Sequence, residues 1–182
     1  MLAENVILSF SMETYMSEAL KEAEKARALG EIPIGAVIVR DGEIIGRGHN
    51  LTETEKDPTA HAEMAAIREA AKALGGWRLT GCQMYVTVEP CCMCAGAAVW
   101  DRIEKLYVGA AEPKSGACGS LYNIVQDERL NHCMEVETGI MVDQCRHIMK
   151  SFFRERRKEI KRTGNWKQVR LTKEKESEET KE

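Results

Sequence analysis

The sequence has no apolar stretch that approaches the ~20 residues needed to cross a bilayer. Its first residues, Met1-Leu2-Ala3-Glu4, lack the basic flank that precedes the apolar part of a secretory signal. No internal repeat is apparent. These absences argue against a membrane-embedded or secreted protein, and we expect a cytoplasmic one with no membrane partner.

The sequence also lacks the even set of cysteines that a disulfide framework requires. It has seven cysteines, and an odd number with two committed to a metal fits reduced thiols in a reducing compartment. Four of them are expected to be small residues of the core or its margin, as free cysteines usually are: Cys82, Cys118, Cys133 and Cys145.

One motif in two parts supplies candidate metal ligands and a proton carrier. His61-Ala62-Glu63 is followed by Pro90-Cys91-Cys92-Met93-Cys94, in which Cys91 stands thirty positions after the histidine. One imidazole and the thiolates of Cys91 and Cys94 are three ligands for Zn²⁺, which leaves a fourth tetrahedral position open for water, as in catalytic sites. Zinc brings the pKa of bound water from about 15.7 to near 7, so hydroxide becomes available at neutral pH.

Glu63 is then free to act as the catalytic proton shuttle during hydrolytic loss of an amine. The combination of H-x-E with P-C-x-x-C is the signature of zinc-dependent base deaminases. Either half alone is weak, because a Cys-x-x-Cys pair also occurs in redox proteins. A structural zinc site would need a fourth nearby donor, and the other histidines lack finger-like spacing to the cysteines: His49, His132 and His147.

The chain is predicted to form an α/β fold with a central mixed sheet. Strands at 36–40 and 43–46 are joined by Asp41-Gly42, a dipeptide typical of a tight antiparallel hairpin. Further strands are predicted at 84–88, 103–108 and 136–142. Helices are predicted at 12–29 with Ser11 as cap, at 60–74 with Thr59 as cap, from Pro90 to Trp100, and at 143–161. Residues 1–11 stay ambiguous between an ordered lead and an appendage.

The length of 182 residues and the apolar fraction of 43% fit one domain, predicted over 1–170. Residues 171–182 are predicted to be a disordered charged tail. The net charge is −3, but the segment from Arg154 to Arg170 holds eight basic residues and two acidic ones. This cluster predicts phosphate contacts or, equally, only a solvated helix face. The main residues of this basic cluster are Arg154, Arg156, Arg157, Lys158, Lys161 and Arg162.

Most of the chain resembles the bacterial tRNA adenosine deaminases, the TadA type of the cytidine deaminase-like superfamily. Besides the metal motif, the segments that carry the likeness are Ile32–Val37, Gly48-His49-Asn50, Asp57–Glu63, Gly109–Ser120 and Phe152-Phe153-Arg154. The resemblance implies a three-layer α/β/α fold with about five strands and a homodimer. It also implies conversion of adenosine to inosine at the wobble position of an arginine tRNA, with the anticodon stem-loop as partner.

The resemblance also assigns roles to single residues. His61, Cys91 and Cys94 match the zinc ligands, with one ion per subunit, and Glu63 matches the proton shuttle. The expected substrate contacts are Asn50 at the base edge, Ile34 at the base face, and Ala62, Lys114, Phe153 and Arg154. One of Phe152 and Phe153 is expected to belong to the core. The family often has Asp at the position of Glu112, so the ribose contact there is left open.

Two other functions are left open by the sequence. A deaminase of a free base or nucleotide, such as guanine, cytosine or a pyrimidine nucleotide, would share the metal chemistry but need no phosphate-binding surface. A non-enzymatic zinc-stabilised module would keep the site only for folding, and the intact Glu63 argues against it. The sequence leaves open which tRNA is used and how strictly the flanking bases are read.

Overall fold

The computed structural model describes residues 2–164, and within 2–11 only the backbone helix. Along this part of the chain, helices and strands follow in the order α1 (Leu2–Ala28), β1 (Gly35–Arg40), β2 (Glu43–His49), α2 (Thr52–Glu55), α3 (Ala62–Leu74), β3 (Cys82–Val88), α4 (Cys92–Trp100), β4 (Lys105–Ala110), β5 (Glu135–Thr138) and α5 (Val142–Thr163). The tail expected from residue 171 onward and the domain limit at 170 lie outside the described residues. No helix within 2–164 has both the length and the apolar character to cross a bilayer.

The five strands form one mixed sheet in the order β2-β1-β3-β4-β5. β1 pairs antiparallel with β2 and with β3, whereas β3–β4 and β4–β5 are parallel. Asp41 and Gly42 connect the hairpin with φ angles of 51° and 83°, as a primed turn requires. The predicted mixed sheet and its hairpin are confirmed.

The core divides into two clusters, one on each face of the sheet. Alternate residues of β1 illustrate the division, since Ile38 packs with α3 and α4 while Val37 packs with α1 and α5. Period-two alternation of a strand places successive side chains on opposite faces, and here both faces are covered. The structure is therefore the expected three-layer α/β/α sandwich, with the predicted metal motif on the α3–α4 side.

Several predicted element boundaries were wrong. Helix α1 already includes residues 2–11, so Ser11 lies within it and does not begin it. The last strand is shorter than predicted and ends at Thr138, because Gly139 and Met141 have φ angles of 88° and 49° that turn the chain into α5. Cys133 is exposed, contrary to its expected place near the core, whereas Cys82, Cys118 and Cys145 are buried as predicted.

Helix α3 lies unusually close to strand β2 because two glycines face it. A Cβ placed on Gly48 would be 2.0 Å from the carbonyl oxygen of Ala62 and 2.6 Å from the nitrogen of Ala66. A Cβ on Gly46 would be 2.3 Å from the carbonyl oxygen of Ala66. Side chains at these positions would push the helix off the sheet, so the contact requires glycine.

We predict that Gly48→Ala destabilises the protein by about 1–3 kcal/mol, because the added methyl group must displace the α3 backbone. The midpoint of chemical denaturation of the zinc-loaded protein measures this. Gly76→Ala is the matched control, since a Cβ there meets nothing within 4 Å. Equal midpoints for the two variants would contradict the close packing of α3 on β2.

Candidate metal centre and active site

His61 immediately precedes helix α3, as its N-cap residue. Its backbone is extended, with φ −81° and ψ 155°, and its side chain makes no capping hydrogen bond. The predicted cap Thr59 instead donates its N–H and its hydroxyl to Asp57 Oδ1, each over 2.7 Å. The helix therefore starts two residues later than predicted, and the imidazole is directed away from the helix end.

The two cysteines are placed by the start of helix α4. Cys91 is the N-cap residue, with φ −74° and ψ 174°, and Cys94 lies in the first turn. Cys91 also forms an isolated antiparallel bridge with Gly116, which brings a second loop beside the site. Helix amino ends carry partial positive charge, and this favours thiolates at both positions.

The three donor atoms lie at the separations that a tetrahedral zinc ion requires. His61 Nδ1 is 3.7 Å from Cys91 Sγ and 3.5 Å from Cys94 Sγ, and all three atoms lie within 4.8 Å of one another. Zn–S bonds of about 2.3 Å and Zn–N bonds of about 2.0–2.1 Å at a tetrahedral angle place S and N about 3.6 Å apart. The donor set therefore fits zinc, and the predicted ligands are brought together.

No fourth protein donor joins this group among residues 12–164, whose side chains the structure describes. The neighbouring thiol of Cys92 is exposed, as its helical direction predicted. His132 lies elsewhere, with its Nε2 2.6 Å from the carbonyl oxygen of Ile103. A three-donor site with an open position matches catalytic and not structural zinc.

The protonation of the site follows from its close packing. Hydrogen bonds from Cys94 and His61 lower the pKa of Cys91 to about 3, whereas the same bond to Cys91, together with burial, raises the pKa of Cys94. A metal ion binds the deprotonated thiolates, so its binding would displace the thiol protons. Glu63 is 4% exposed, and burial raises the pKa of its carboxyl group. It is therefore suited to hold a proton and to release it during the reaction.

The predicted base contacts, Asn50 and Ile34, lie next to each other. The N–H of Asn50 donates to the carbonyl oxygen of Ile34 over 3.1 Å, and the Ile34 side chain packs against the core cluster that includes α3 and α4. The Asn50 amide donates to Glu31 Oε2 over 3.1 Å and accepts from the Thr52 hydroxyl over 2.7 Å. Ala62 is fully buried as the first residue of α3.

The predicted RNA contacts lie on two separate elements. Lys114 is exposed in the loop after β4, and its N–H donates to Glu112 Oε1 over 2.9 Å. Phe153 is 38% exposed and Phe152 only 7%, so the expected division between surface and core is confirmed. Arg154 and Arg157 are exposed, but Arg156 donates to the carbonyl oxygen of Gly30 over 2.7 Å.

The sequence analysis grouped Arg156 with the solvent-facing cations of α5, and this was wrong because Arg156 donates to the carbonyl oxygen of Gly30. Helical spacing alone did not indicate which loop lies against this side of the helix. Arg162, another member of the predicted cluster, forms an ion pair with Glu159 over 2.5 Å. The exposed positive surface of α5 is consequently smaller than the sequence suggested, and it comprises the exposed residues Arg154, Arg157, Lys158 and Lys161.

Sequence reasoning missed two buried carboxylates near the site. Glu31, 2% exposed, accepts from the Asn50 amide, from the backbone N–H groups of Glu53 and Thr54, and from the Thr54 hydroxyl. Glu89, 6% exposed, lies directly before Pro90. Burial raises the pKa of Glu89, but hydrogen bonds from Ser120, Glu112 and Cys118 outweigh it and hold the pKa below its usual value.

The only signal for these carboxylates in the sequence was their position beside motif segments. Glu31 directly precedes Ile32-Pro33, and Glu89 stands between a buried strand and the metal-binding cysteines. Acidic residues are rarely buried unless they have partners. Their partners lie at sequence separations of 19 to 31 residues, which local patterns do not report.

Comparison with known proteins agrees with this geometry. The model of the family described as "Cytidine and deoxycytidylate deaminase zinc-binding region" matches residues 10–110, which include His61, Glu63, Cys91 and Cys94. A Bacillus subtilis (strain 168) protein named tRNA-specific adenosine deaminase is 56% identical over 149 residues, 82% of this chain and 92% of that protein.

Two solved structures extend the comparison. One, from studies of A-to-I editing by deaminases at the wobble position of transfer RNA, superposes with a TM-score of 0.72. It is 44% identical and covers 74% of this chain and 98% of that chain. The other, a guanine deaminase from Bacillus subtilis, has a TM-score of 0.52 and 44% identity, and it covers 54% of this chain and 64% of that chain.

We predict that Cys91→Ala removes zinc, because two donors hold the ion far less tightly than three, whereas Glu63→Ala keeps it. Metal analysis of the purified variants measures the zinc content per chain. Cys92→Ala is the matched control, since its exposed thiol lies one position from a ligand and outside the donor group. Full zinc content in Cys91→Ala would show that the ligand set is wrong.

Proposed function

Because the chain belongs to the cytidine and deoxycytidylate deaminase family of zinc-dependent hydrolytic enzymes, we propose that it converts adenosine to inosine at the wobble position of a tRNA anticodon. The observation that carries the proposal is the open three-donor metal site with the buried, unligated carboxyl group of Glu63 beside it. The tRNA substrate is supported by the relative from Bacillus subtilis, and an arginine tRNA by the resemblance described above.

The reaction replaces the exocyclic amine of adenine by the oxygen of water and releases ammonia. Bound zinc supplies the activation of that water at neutral pH. Glu63 accepts the proton that water loses, gives a proton to ring nitrogen N1, and then moves a proton to the departing amine. Its burial and raised pKa suit a group that must be protonated and deprotonated in one turnover.

Recognition of the purine is assigned to Asn50 and Ile34. An amide offers both a donor and an acceptor to a base edge, while the side chain of Ile34 gives an apolar contact to the base face. Glu31 accepts from the Asn50 amide, which fixes the orientation of the nitrogen and oxygen atoms. Without a fixed partner the side-chain amide could rotate and exchange the positions of its nitrogen and oxygen. The bond to Glu31 therefore determines which edge of the base Asn50 can bind.

The RNA surface is proposed to combine Lys114 with Phe153 and Arg154. Hydrogen bonds connect helix α5 to the residues proposed to bind the base. Arg156 donates to the carbonyl oxygen of Gly30, and the next residue, Glu31, accepts from the Asn50 amide. Stacking on an exposed aromatic ring and pairing of phosphates with cations are the usual means of binding single-stranded loop RNA. The geometry therefore supports an anticodon loop whose target base enters the site while its neighbours contact α5.

A free purine is the second candidate substrate, favoured by the partial match to a guanine deaminase. Both reactions require the same metal and carboxyl chemistry, so the metal site does not separate them. The exposed cations Arg154 and Arg157 favour RNA, because a free base has no phosphate to bind.

We also propose that the protein forms a homodimer and is located in the cytoplasm. Several large apolar side chains are exposed near the metal helix and the loop after β4, among them Trp100 at 65% and Tyr122 at 57%, and such groups are typical of an interface. The free thiols fit a reducing compartment, where tRNA is also found.

We predict that Glu63→Ala lowers inosine formation at least ~100-fold while leaving zinc and fold intact, since the proton shuttle is lost. Parent and variant are incubated with a total tRNA pool and, separately, with free nucleosides and bases, and inosine and released ammonia are quantified by mass spectrometry and an enzymatic assay. Ammonia release at the parent rate from Glu63→Ala would remove the mechanism.

The same assay separates the two substrates. Inosine in tRNA without deamination of free adenine, guanine or adenosine supports the proposed function. Deamination of a free base with unmodified tRNA would replace it by the second candidate.

We predict that the double substitution Arg154→Gln/Arg157→Gln weakens tRNA binding and flattens its salt dependence. Each lost phosphate contact reduces the slope of log Kobs against log salt by about 0.7 for single-stranded RNA. Binding is measured by fluorescence anisotropy with a labelled anticodon stem-loop at several salt concentrations. The control is Lys72→Gln/Arg129→Gln, which removes the same charge from exposed positions on α3 and in the connection between β4 and β5. Identical slopes for the two double variants would exclude α5 from the RNA surface.

A further inference from the structure

Glu89 joins the metal-binding helix to the loop that carries Lys114. Its backbone N–H donates to the carbonyl oxygen of Ala110, the last residue of β4, over 2.8 Å. Its side chain points into the loop that follows: Oε2 accepts from the N–H of Glu112 over 3.0 Å, and Oε1 accepts from the N–H groups of Cys118 and Ser120, each over 3.0 Å. The Ser120 hydroxyl donates to Oε2 as well.

These four bonds reach both ends of one segment, residues 112–120, which we call the anchored loop. Within it Gly116 allows the carboxylate to approach, because a Cβ there would be 2.5 Å from Glu89 Cδ. The N–H of Ala117 donates to the carbonyl oxygen of Pro90 over 2.8 Å, so the loop also touches the backbone before the first cysteine ligand. Lys114 lies exposed between the two bonded ends.

We propose that Glu89 is a positioning residue for RNA binding, which fixes the anchored loop, and with it Lys114, at a set distance from the metal centre. The inference rests on the proposed function in one respect, that Lys114 contacts the RNA. Neutral loop donors paired with a buried carboxylate form charge-assisted bonds, which are stronger than ordinary ones and hold their geometry. The hydrogen bonds of the Glu89 carboxylate described above all reach the loop, so Glu89 acts through the loop.

The test variant is Glu89→Gln, which keeps the shape of the side chain. The amide NH₂ group is a donor, and it replaces one of the two oxygens that accept hydrogen bonds from the loop. The bonds that this oxygen accepted are therefore lost. Limited trypsin digestion of the zinc-loaded protein reports loop opening through cleavage after Lys114. We expect cleavage there to be about tenfold faster than in the parent. The matched control is Glu135→Gln, which neutralises an exposed carboxylate on β5.

Cleavage after Lys72 on α3 is the internal reference in the same digest. If cleavage after Lys114 becomes faster while cleavage after Lys72 keeps its rate, the anchored loop has opened locally. Equal acceleration at both sites, or no acceleration at Lys114, would overturn the proposal. Ser120→Ala provides a graded second variant, since it removes the hydroxyl bond and leaves the three backbone bonds, and it should open the loop less than Glu89→Gln.

The kinetic arm distinguishes positioning from a general structural role. We expect Glu89→Gln to raise KM for tRNA about tenfold, with kcat within about twofold and zinc content equal to the parent. An unchanged KM with an opened loop, or a loss confined to kcat, would overturn the role in RNA binding. If the parent enzyme formed no inosine in tRNA, the proposed function would fall, and the digestion would still decide whether Glu89 anchors the loop.

Discussion

The site depends on two helices that begin at the same place. His61 and Cys91 both occupy N-cap positions with extended backbone, where a polar side chain would normally bond the exposed N–H groups of the first turn. The His61 side chain makes no such bond, whereas backbone hydrogen bonds from Cys94 and Met93 help to lower the pKa of Cys91, and both side chains, with Cys94, bring their donor atoms together. The amino ends of α3 and α4 are left to stabilise the negative charge of the thiolates. The metal donors of this protein therefore lie at the starts of two helices.

Three buried carboxylates around this point have different surroundings and hence different tasks. Glu63 sits in a desolvated position that favours its protonated form, which suits proton transfer. Glu89 accepts four hydrogen bonds, which favour its charged form and suit it to hold a loop. Glu31 accepts bonds from backbone N–H groups and from Asn50, which orients an amide. All three are glutamates, so their different surroundings, and not the residue type, suit one to proton transfer and the other two to positioning.

The metal ligands could be predicted from sequence because their chemistry requires particular residue types at particular places. The hairpin was equally predictable, since Asp41-Gly42 satisfies a local backbone requirement. The start of α3 was not, because a hydroxyl group caps only where no nearer partner competes, and Asp57 competes for Thr59. The role of Arg156 and the burial of Glu89 depend on segments far away in sequence, so no local pattern contains them.

The glycine contact between β2 and α3 has a consequence for the accuracy of catalysis. Asn50 follows directly after β2, and His61 directly precedes α3. Because Gly46 and Gly48 let the two elements touch backbone to backbone, no flexible side chain lies between them to absorb thermal displacement. The residue proposed to read the base and the residue placed to hold the metal thus stand on two elements in direct backbone contact. If Asn50 binds the base as proposed, the distance from the base to the metal centre is set by backbone packing between β2 and α3.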